Sequence, residues 1–236
     1  MRIKGEKKDM IKEYVGDVLN AEVDIIAHQT NCKGVMGAGV AKQIKDRLLS
    51  VEEFDKYVNI CNSSDPFGTC QILKTFKRNL LVANLFGERI PTGRQQDTDY
   101  KALENAISQL VKYANDNNYK KIAIPGLLGC GLAGGDWKIV RAILDKYFKH
   151  SDLELQIVWF TLADFNKWHM TAYKVVKEIP ANVESWEKHD AIPKDTLCGV
   201  ATLASVPVIS YKGKAICDID SEMAAEYFTK ITIPVR

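Results

Sequence analysis

The sequence carries almost no net charge: 32 lysines and arginines stand against 30 aspartates and glutamates, a balance of +2. A chain that holds nucleic acid or an anionic membrane through its overall field needs a larger excess, so charge alone points to neither. The basic stretches, Lys4 to Lys12 and Lys120-Lys121, are broken by acids or sit at element ends, and solvated surface accounts for them. Metal-finger spacing is missing too. The six cysteines, at 32, 61, 70, 130, 198 and 217, form no CxxC pair, and a chain of 236 residues needs no disulfide staple. These gaps imply reduced thiols in a cytoplasmic protein with no metal and no cofactor. No apolar run approaches the ~20 residues of a membrane span, and the polar N-terminal stretch lacks a signal-peptide core, so no membrane partner is expected. Internal repeats and low-complexity tracts are absent as well.

What is present is glycine in two particular places. Gly34-Val35-Met36-Gly37-Ala38-Gly39-Val40-Ala41 and Gly126-Leu127-Leu128-Gly129-Cys130-Gly131-Leu132-Ala133-Gly134-Gly135-Asp136-Trp137 lie about ninety residues apart. Each follows an apolar strand-like run and opens a helix-like one. A helix N-terminus preceded by small residues aims bare backbone N–H groups at an anion. One such turn can be explained by chain reversal alone, since tight turns also select glycine; two in corresponding contexts suit a diphosphate.

The periodicity predicts strands over Met10 to Val15, Asp24 to His28, Thr69 to Leu73, Leu80 to Phe86, Lys121 to Pro125 and Leu155 to Leu162. Between them fall helices over Val40 to Leu48 and Val51 to Cys61. A third helix, capped by Thr98, has Leu103, Ile107, Leu110, Val111 and Ala114 on one face, and a fourth is striped by Trp137, Val140, Leu144, Tyr147 and Phe148. Gln29 to Gly39 and Gly87 to Asp97 read as loops. Strands alternating with helices predict a layered α/β sandwich with a mixed or mostly parallel sheet, whose ligands sit beyond the carboxyl ends of the strands. After Ala163 the pattern changes. Asn166 to Asp195 shows little period, Val200 to Ile219 alternates as two strands around Lys212-Gly213, and Ser221 can cap a short helix through Lys230 before a strand over Thr232 to Val235. Residues 1–163 form the expected main domain and 164–236 a β-rich extension or small accessory domain.

Gly16-Asp17, Ala27-His28-Gln29-Thr30-Asn31-Cys32, Gly37-Ala38-Gly39-Val40-Ala41, Leu128-Gly129-Cys130-Gly131-Leu132 and Gly134-Gly135-Asp136-Trp137, in that order, resemble the macrodomain family of ADP-ribose binders over roughly residues 10 to 163. The resemblance implies a three-layer α/β/α sandwich with a mixed central sheet. It implies that Asp17, with Val18 beside it, receives the adenine amino group, as an acceptor-only carboxylate can. Asn31 would read the distal ribose. Gly37, Ala38, Gly39 and Val40 would form one phosphate loop, and Gly129, Cys130, Gly131, Leu132, Ala133 and Gly134 the other.

The same likeness implies binding of ADP-ribose and hydrolysis of a derivative, either ADP-ribose 1''-phosphate or an ADP-ribosylated protein or nucleic acid, without a metal. A non-catalytic binding module is the alternative. Family members that use a lysyl adduct place a lysine after the fourth strand and an aspartate just after Gly-Cys-Gly-Leu. Here no lysine occurs between Asn79 and Tyr100, and that aspartate position is Ala133. The remaining catalytic candidates are His28 as proton carrier, Asn31, and Asp136, for which helix capping is the simpler role. Arg89 or Arg94 offers a grip for a terminal phosphate, and Cys32 and Cys130 read as packing residues.

Overall fold

The computed structural model describes residues 10–77, 79–149, 151–181, 183–203 and 206–234. Most of the basic Lys4 to Lys12 stretch and Val235 lie outside them. The chain divides into two compact units, residues 1–165 and 166–236.

The first unit is built on a six-stranded sheet in the order β1-β6-β5-β2-β4-β3, from β1 (Ile11–Val15), β2 (Ile25–Asn31), β3 (Cys70–Lys74), β4 (Leu81–Glu88), β5 (Lys121–Pro125) and β6 (Glu154–Trp159). Every neighbouring pair is parallel except β3 with β4 at the edge, which makes the sheet mixed. Continuous apolar runs such as Ile25-Ile26-Ala27 and Ile122-Ala123-Ile124 are buried on both faces, as central parallel strands require. Ile26, Val82, Phe86, Ala123 and Val158 pack with Ile44, Leu48 and Tyr57 from α1 (Gly39–Leu48) and α2 (Val51–Ser63). Their alternating neighbours Ile25, Ala27, Ala83, Leu85 and Ile157 point the other way. On that side α3 (Tyr100–Asp116) covers β4, and α4 (Trp137–Phe148) packs beside α3. Helix, sheet and helix thus form the three expected layers.

Several expectations need correcting. The strand that begins β2 runs on through Gln29-Thr30-Asn31, because these polar residues find parallel partners in β4. The third helix is capped by Asp99, whose carboxylate accepts from the Ala102 amide at 2.8 Å; Thr98 serves elsewhere. The last strand of this unit stops at Trp159, and α5 (Leu162–Trp168) comes next.

The second unit is an antiparallel sheet in the order β10-β9-β8-β7-β11, with β7 (His169–Val175), β8 (Leu197–Leu203), β9 (Val206–Tyr211), β10 (Lys214–Asp218) and β11 (Phe228–Pro234). Tyr173, Val175, Ile192, Ile209, Ile216 and Phe228 form its core. The stretch read as aperiodic therefore holds β7, and Val200 to Ile219 overlaps three strands. Ser221 does cap a helix, α6 (Glu222–Tyr227), which is shorter than expected because Phe228 begins β11.

One steric lock can be tested directly. Gly126 leads out of β5, and a Cβ placed on it would stand 2.7 Å from Cδ2 of Trp159. That indole cannot step aside: it is buried, packs edge-on against Trp137 at 5.3 Å, and donates to Glu13 at 3.0 Å. Gly126→Ala should destabilise the protein by about 1–3 kcal/mol through overpacking, read as a lower midpoint in chemical denaturation. An unchanged midpoint would show that the ring has room to move.

Candidate functional site

The cleft begins where two neighbouring strands part. β2 and β5 pair only at Ile25 with Ile122 and Ile26 with Ala123. Beyond that point β2 follows β4 to Asn31 while β5 follows β6 to Pro125. The two glycine loops leave from the diverging carboxyl ends, where α/β sheets hold their ligands. A short polar bridge spans the split. Gln29 donates from Nε2 to the Thr98 hydroxyl at 2.8 Å, and that hydroxyl donates to the Gly129 carbonyl at 2.6 Å. Gln29 fills the space so fully that a Cβ on Gly129 or Gly87 would lie 2.5 or 2.7 Å from its Oε1. Thr98 and Gln29 had no expected role in the site.

The first loop is shaped from within. Asn31 donates from Nδ2 to the Val35 carbonyl at 2.8 Å and accepts from the Lys33 amide at 2.9 Å. Tyr57 of α2 donates to the Asn31 carbonyl at 2.9 Å while accepting from Thr30 at 2.9 Å. Burial pushes the Tyr57 phenol well above its ordinary pKa, so it stays a neutral donor and acceptor. Met36 plugs into the α1/α2 core. Asn31 is thus the staple of its own loop, at the place where a ribose reader was expected. Tyr57 was missed, although its spacing with Phe54, Val58 and Cys61 marks it as facing inward.

Past Met36 the backbone is bare. α2, α3, α4 and α6 are capped by the side chains of Ser50, Asp99, Asp136 and Ser221, and Thr161 does the same for α5. α1 opens on Ala38, which has no capping side chain. Among the described residues no acceptor meets the N–H groups of Gly37, Ala38, Gly39 or Val40. Orphan amides on a helix dipole favour an anion.

The second loop faces this point: a Cβ on Gly39 would come 3.9 Å from Cδ1 of Leu132, itself 70% exposed. Its turns close through Cys130 N to Leu127 O, Gly134 N to Gly131 O and Gly135 N to Gly129 O, at 2.8, 3.1 and 2.9 Å. Ala133 is buried, and its carbonyl accepts from Asp97 and Thr98 at 2.8 and 3.1 Å. The amides of Gly131, Leu132 and Ala133 have no acceptor among the described residues. Gly129 and Gly134 take positive φ, and Gly134 is hemmed in by Gln95. Gly131 is different. Its φ is ordinary and nothing lies within 4 Å of its would-be Cβ, so the fold does not demand glycine there.

The other candidates are distributed unevenly. Asp17 caps the 3-10 turn Val18–Asn20, accepting from Leu19 N at 3.0 Å, and pairs through Oδ2 with Arg47 of α1 at 2.9 Å. The next residue, Val18, is buried in the core on the α1/α2 side. Asp136 accepts from Lys138 N at 2.8 Å as the α4 cap. Arg89 is paired with Asp65 through two hydrogen bonds, at 2.9 and 3.1 Å, and stacks over Phe67. Arg94 is exposed beside Gln95. Burial raises the Cys32 thiol to about 11 and Cys130 to about 12, which leaves both protonated and inert at neutral pH.

His28 does not reach the cleft. It is fully buried in mid-strand, its Nε2 lies 2.8 Å from Asn84 Oδ1, and its Nδ1 has no hydrogen-bond partner among the described residues. Burial lowers its pKa from 6.5 to about 4, outweighing the bond to Asn84 that favours the charged form. A proton carrier must meet the reacting atoms, so the imidazole is better described as an uncharged core group.

The Macro domain family matches residues 27–144, half of the 236 residues. The chain belongs to the macrodomain family. This macrodomain is 30% identical over 154 residues to an uncharacterised 17.5 kDa protein of Enterobacteria phage T4, covering 63% of this chain and 96% of that one. It is 30% identical over 146 residues to the DNA ADP-ribosyl glycohydrolase of Mycobacterium tuberculosis, covering 59% of this chain and 39% of the relative, so it spans about two fifths of that enzyme. Among solved structures it is similar to the macrodomain of Mycobacterium tuberculosis DarG, with a TM-score of 0.56 at 25% identity over 65% of this chain and 99% of that one. Thermosipho africanus DarTG, solved in complex with ADP-ribose, shares the fold with a TM-score of 0.53 at 20% identity, over 65% of this chain and 42% of that one. The family and the three-layer fold expected from the glycine motifs both hold. No helix among the described residues of this macrodomain is long and apolar enough to cross a membrane.

The state of His28 has a measurable signature. Unfolded histidine takes up protons below pH 6.5 and the folded one only below about 4, so stability falls as pH drops through that window. At pH 5 the loss relative to neutral pH should be about 2 kcal/mol from this group. Urea titrations at pH 7.5 and 5.0 on the wild type and His28→Asn should show the pH penalty shrinking in the variant; an equal penalty in both would place the acid sensitivity elsewhere.

Proposed function

We propose that this macrodomain binds ADP-ribose across its two glycine loops and hydrolyses an ADP-ribose derivative, drawn from ADP-ribose 1''-phosphate and ADP-ribosylated protein or DNA. The observation that carries this reading is the uncapped start of α1, set against the side-chain-capped starts of the other helices and facing three further unbonded amides on the second loop. Two rows of free donors around an open space suit a diphosphate. Gly37 to Val40 serve one phosphate, and Gly129 to Gly134 the other. Asp17 keeps acceptor capacity for the adenine amino group beside its bonds to Leu19 and Arg47, with Val18 as the floor. Asn31 sets the loop edge where the distal ribose lies. The ADP-ribosyl glycohydrolase names borne by similar proteins support the hydrolase reading, and the DNA in one of them puts ADP-ribosylated DNA on the substrate list.

Catalysis in this reading rests on positioning, with a water directed at the distal ribose or its phosphate. A non-catalytic reader is the second reading. The absent lysine and aspartate favour it, as do the buried His28 and the use of Asp136 as a cap. Residues 164–236 are an accessory unit in either case. Six free cysteines suit a reducing cytoplasm.

Gly131→Ala isolates the ligand's demand from that of the fold. With ordinary φ and open space at that position, stability should stay within about 0.5 kcal/mol, while calorimetric affinity for ADP-ribose falls at least tenfold. Full affinity in the variant would remove the second loop from the binding site. A panel of ADP-ribose 1''-phosphate, ADP-ribosylated protein and ADP-ribosylated DNA, with products resolved by chromatography, then separates hydrolase from reader.

A further inference from the structure

Glu88 ends β4, and β2 and β4 slip by one residue there: Thr30 pairs with Phe86 and Asn31 with Glu88, leaving Gly87 as the bulge. Bulges re-aim the neighbouring side chain and cluster beside active sites. The Glu88 backbone is fixed from both sides. Its carbonyl accepts from Cys32 N at 3.1 Å, at the root of the first glycine loop, and it bridges to Thr98, which holds the second loop through Gly129. The residue therefore stands where the two loops and the end of β2 converge, next to Asn31.

Its side chain lacks what other sheltered acids in this chain have. Glu13 is met by Arg141 and the Trp159 indole, Glu154 by Lys12, and Glu53 by Lys56 and the Lys74 amide. Glu88 is 9% exposed, is the one acid among the buried described residues, and its carboxylate has no hydrogen-bond donor or cation among the described residues. Nor is it sealed away, since it is not among the fully enclosed unpartnered atoms, which belong to His28, Gln29, Trp168, His189 and Asp218. A mostly buried carboxylate without a partner is costly to keep, and such groups concentrate where they do chemistry.

We propose that Glu88 is a catalytic residue, the proton acceptor for the water that attacks the anomeric carbon of the distal ribose. The inference rests on the hydrolase reading above. The water oxygen bonds to the anomeric carbon, and the bond from that carbon to the leaving group breaks with its electron pair departing on the leaving atom. The water's proton passes to the Glu88 carboxylate, which returns it to the departed group or to solvent. Burial, and then the nearby charge of Asp97, raise the Glu88 pKa and so make its carboxylate a stronger base. Asp97 stays ionised, held by Thr92 and Gly93, while Arg89 is paired with Asp65 and the neutral Cys32 thiol offers no countercharge.

Glu88→Gln keeps shape and removes basicity. In the full chain, calorimetric affinity for ADP-ribose should stay within about threefold, and turnover of the active substrate from the panel should fall by about 10²–10⁴. In the wild type kcat should drop on the acid side as pH falls through the Glu88 pKa, and the residual rate of the variant should lose that limb. The melting temperature should hold or rise, because a neutral amide is cheaper to bury, whereas a purely structural Glu88 would lower it. Near-wild-type turnover with the acid limb intact would overturn the role of Glu88 alone. A wild type that binds ADP-ribose yet releases no product from any panel substrate would overturn the hydrolase reading and this proposal together.

Discussion

The parting of β2 from β5 after two paired residues is the constraint on which the site depends. A continuous ladder would have closed the carboxyl end of the sheet and left both glycine loops on one flat rim. Splitting it leaves polar backbone to satisfy and a gap to fill in the middle of a hydrophobic layer. The Gln29 amide and the Thr98 hydroxyl do both, linking one diverging strand to the loop that leaves the other. The absence of side chains at Gly87 and Gly129 is a packing consequence of that link rather than a ligand requirement.

Glycine in the two loops thus answers to different demands. Gly126, Gly129, Gly134 and Gly135 are crowded by the protein itself or need a left-handed backbone, whereas Gly37 and Gly131 meet neither condition. Only the second group argues for something outside the chain. The distinction separates the architecture of the loops from their chemistry, and it needs geometry that composition cannot supply.

Much of the fold was legible because its signals are local. Apolar runs in Ile25-Ile26-Ala27 and Ile122-Ala123-Ile124, followed by glycine and then a helical stripe, mark buried strands that turn through glycine into helices. Decisions made by distant partners were harder to read. Gln29-Thr30-Asn31 looks like loop until β4 pairs with it, and that extension carries His28 from the rim into the core. Thr98 and Asp99 are both good caps, and the choice fell to Asp99 because the threonine hydroxyl is engaged by a carbonyl thirty-one residues away. Asn31 was expected to read a ribose, whereas its bonds to Lys33 and Val35, which shape its own loop, were not foreseen. In the second unit β8 and β11 bury a single residue each, Cys198 and Phe228, and so lack the alternation on which the reading depended.

The uncapped first turn of α1 also bears on selectivity. Dipole and amides reward negative charge of almost any shape, so inorganic anions and unrelated nucleotides gain from the same floor. In the proposed reading, discrimination comes from the walls, where the Asp17 carboxylate, the Asn31 amide and the Glu88 acid would each reject groups that cannot answer them. An anion bound there would supply the acceptors that these amides lack within the chain, and so would stabilise the first turn of α1 together with the folded state.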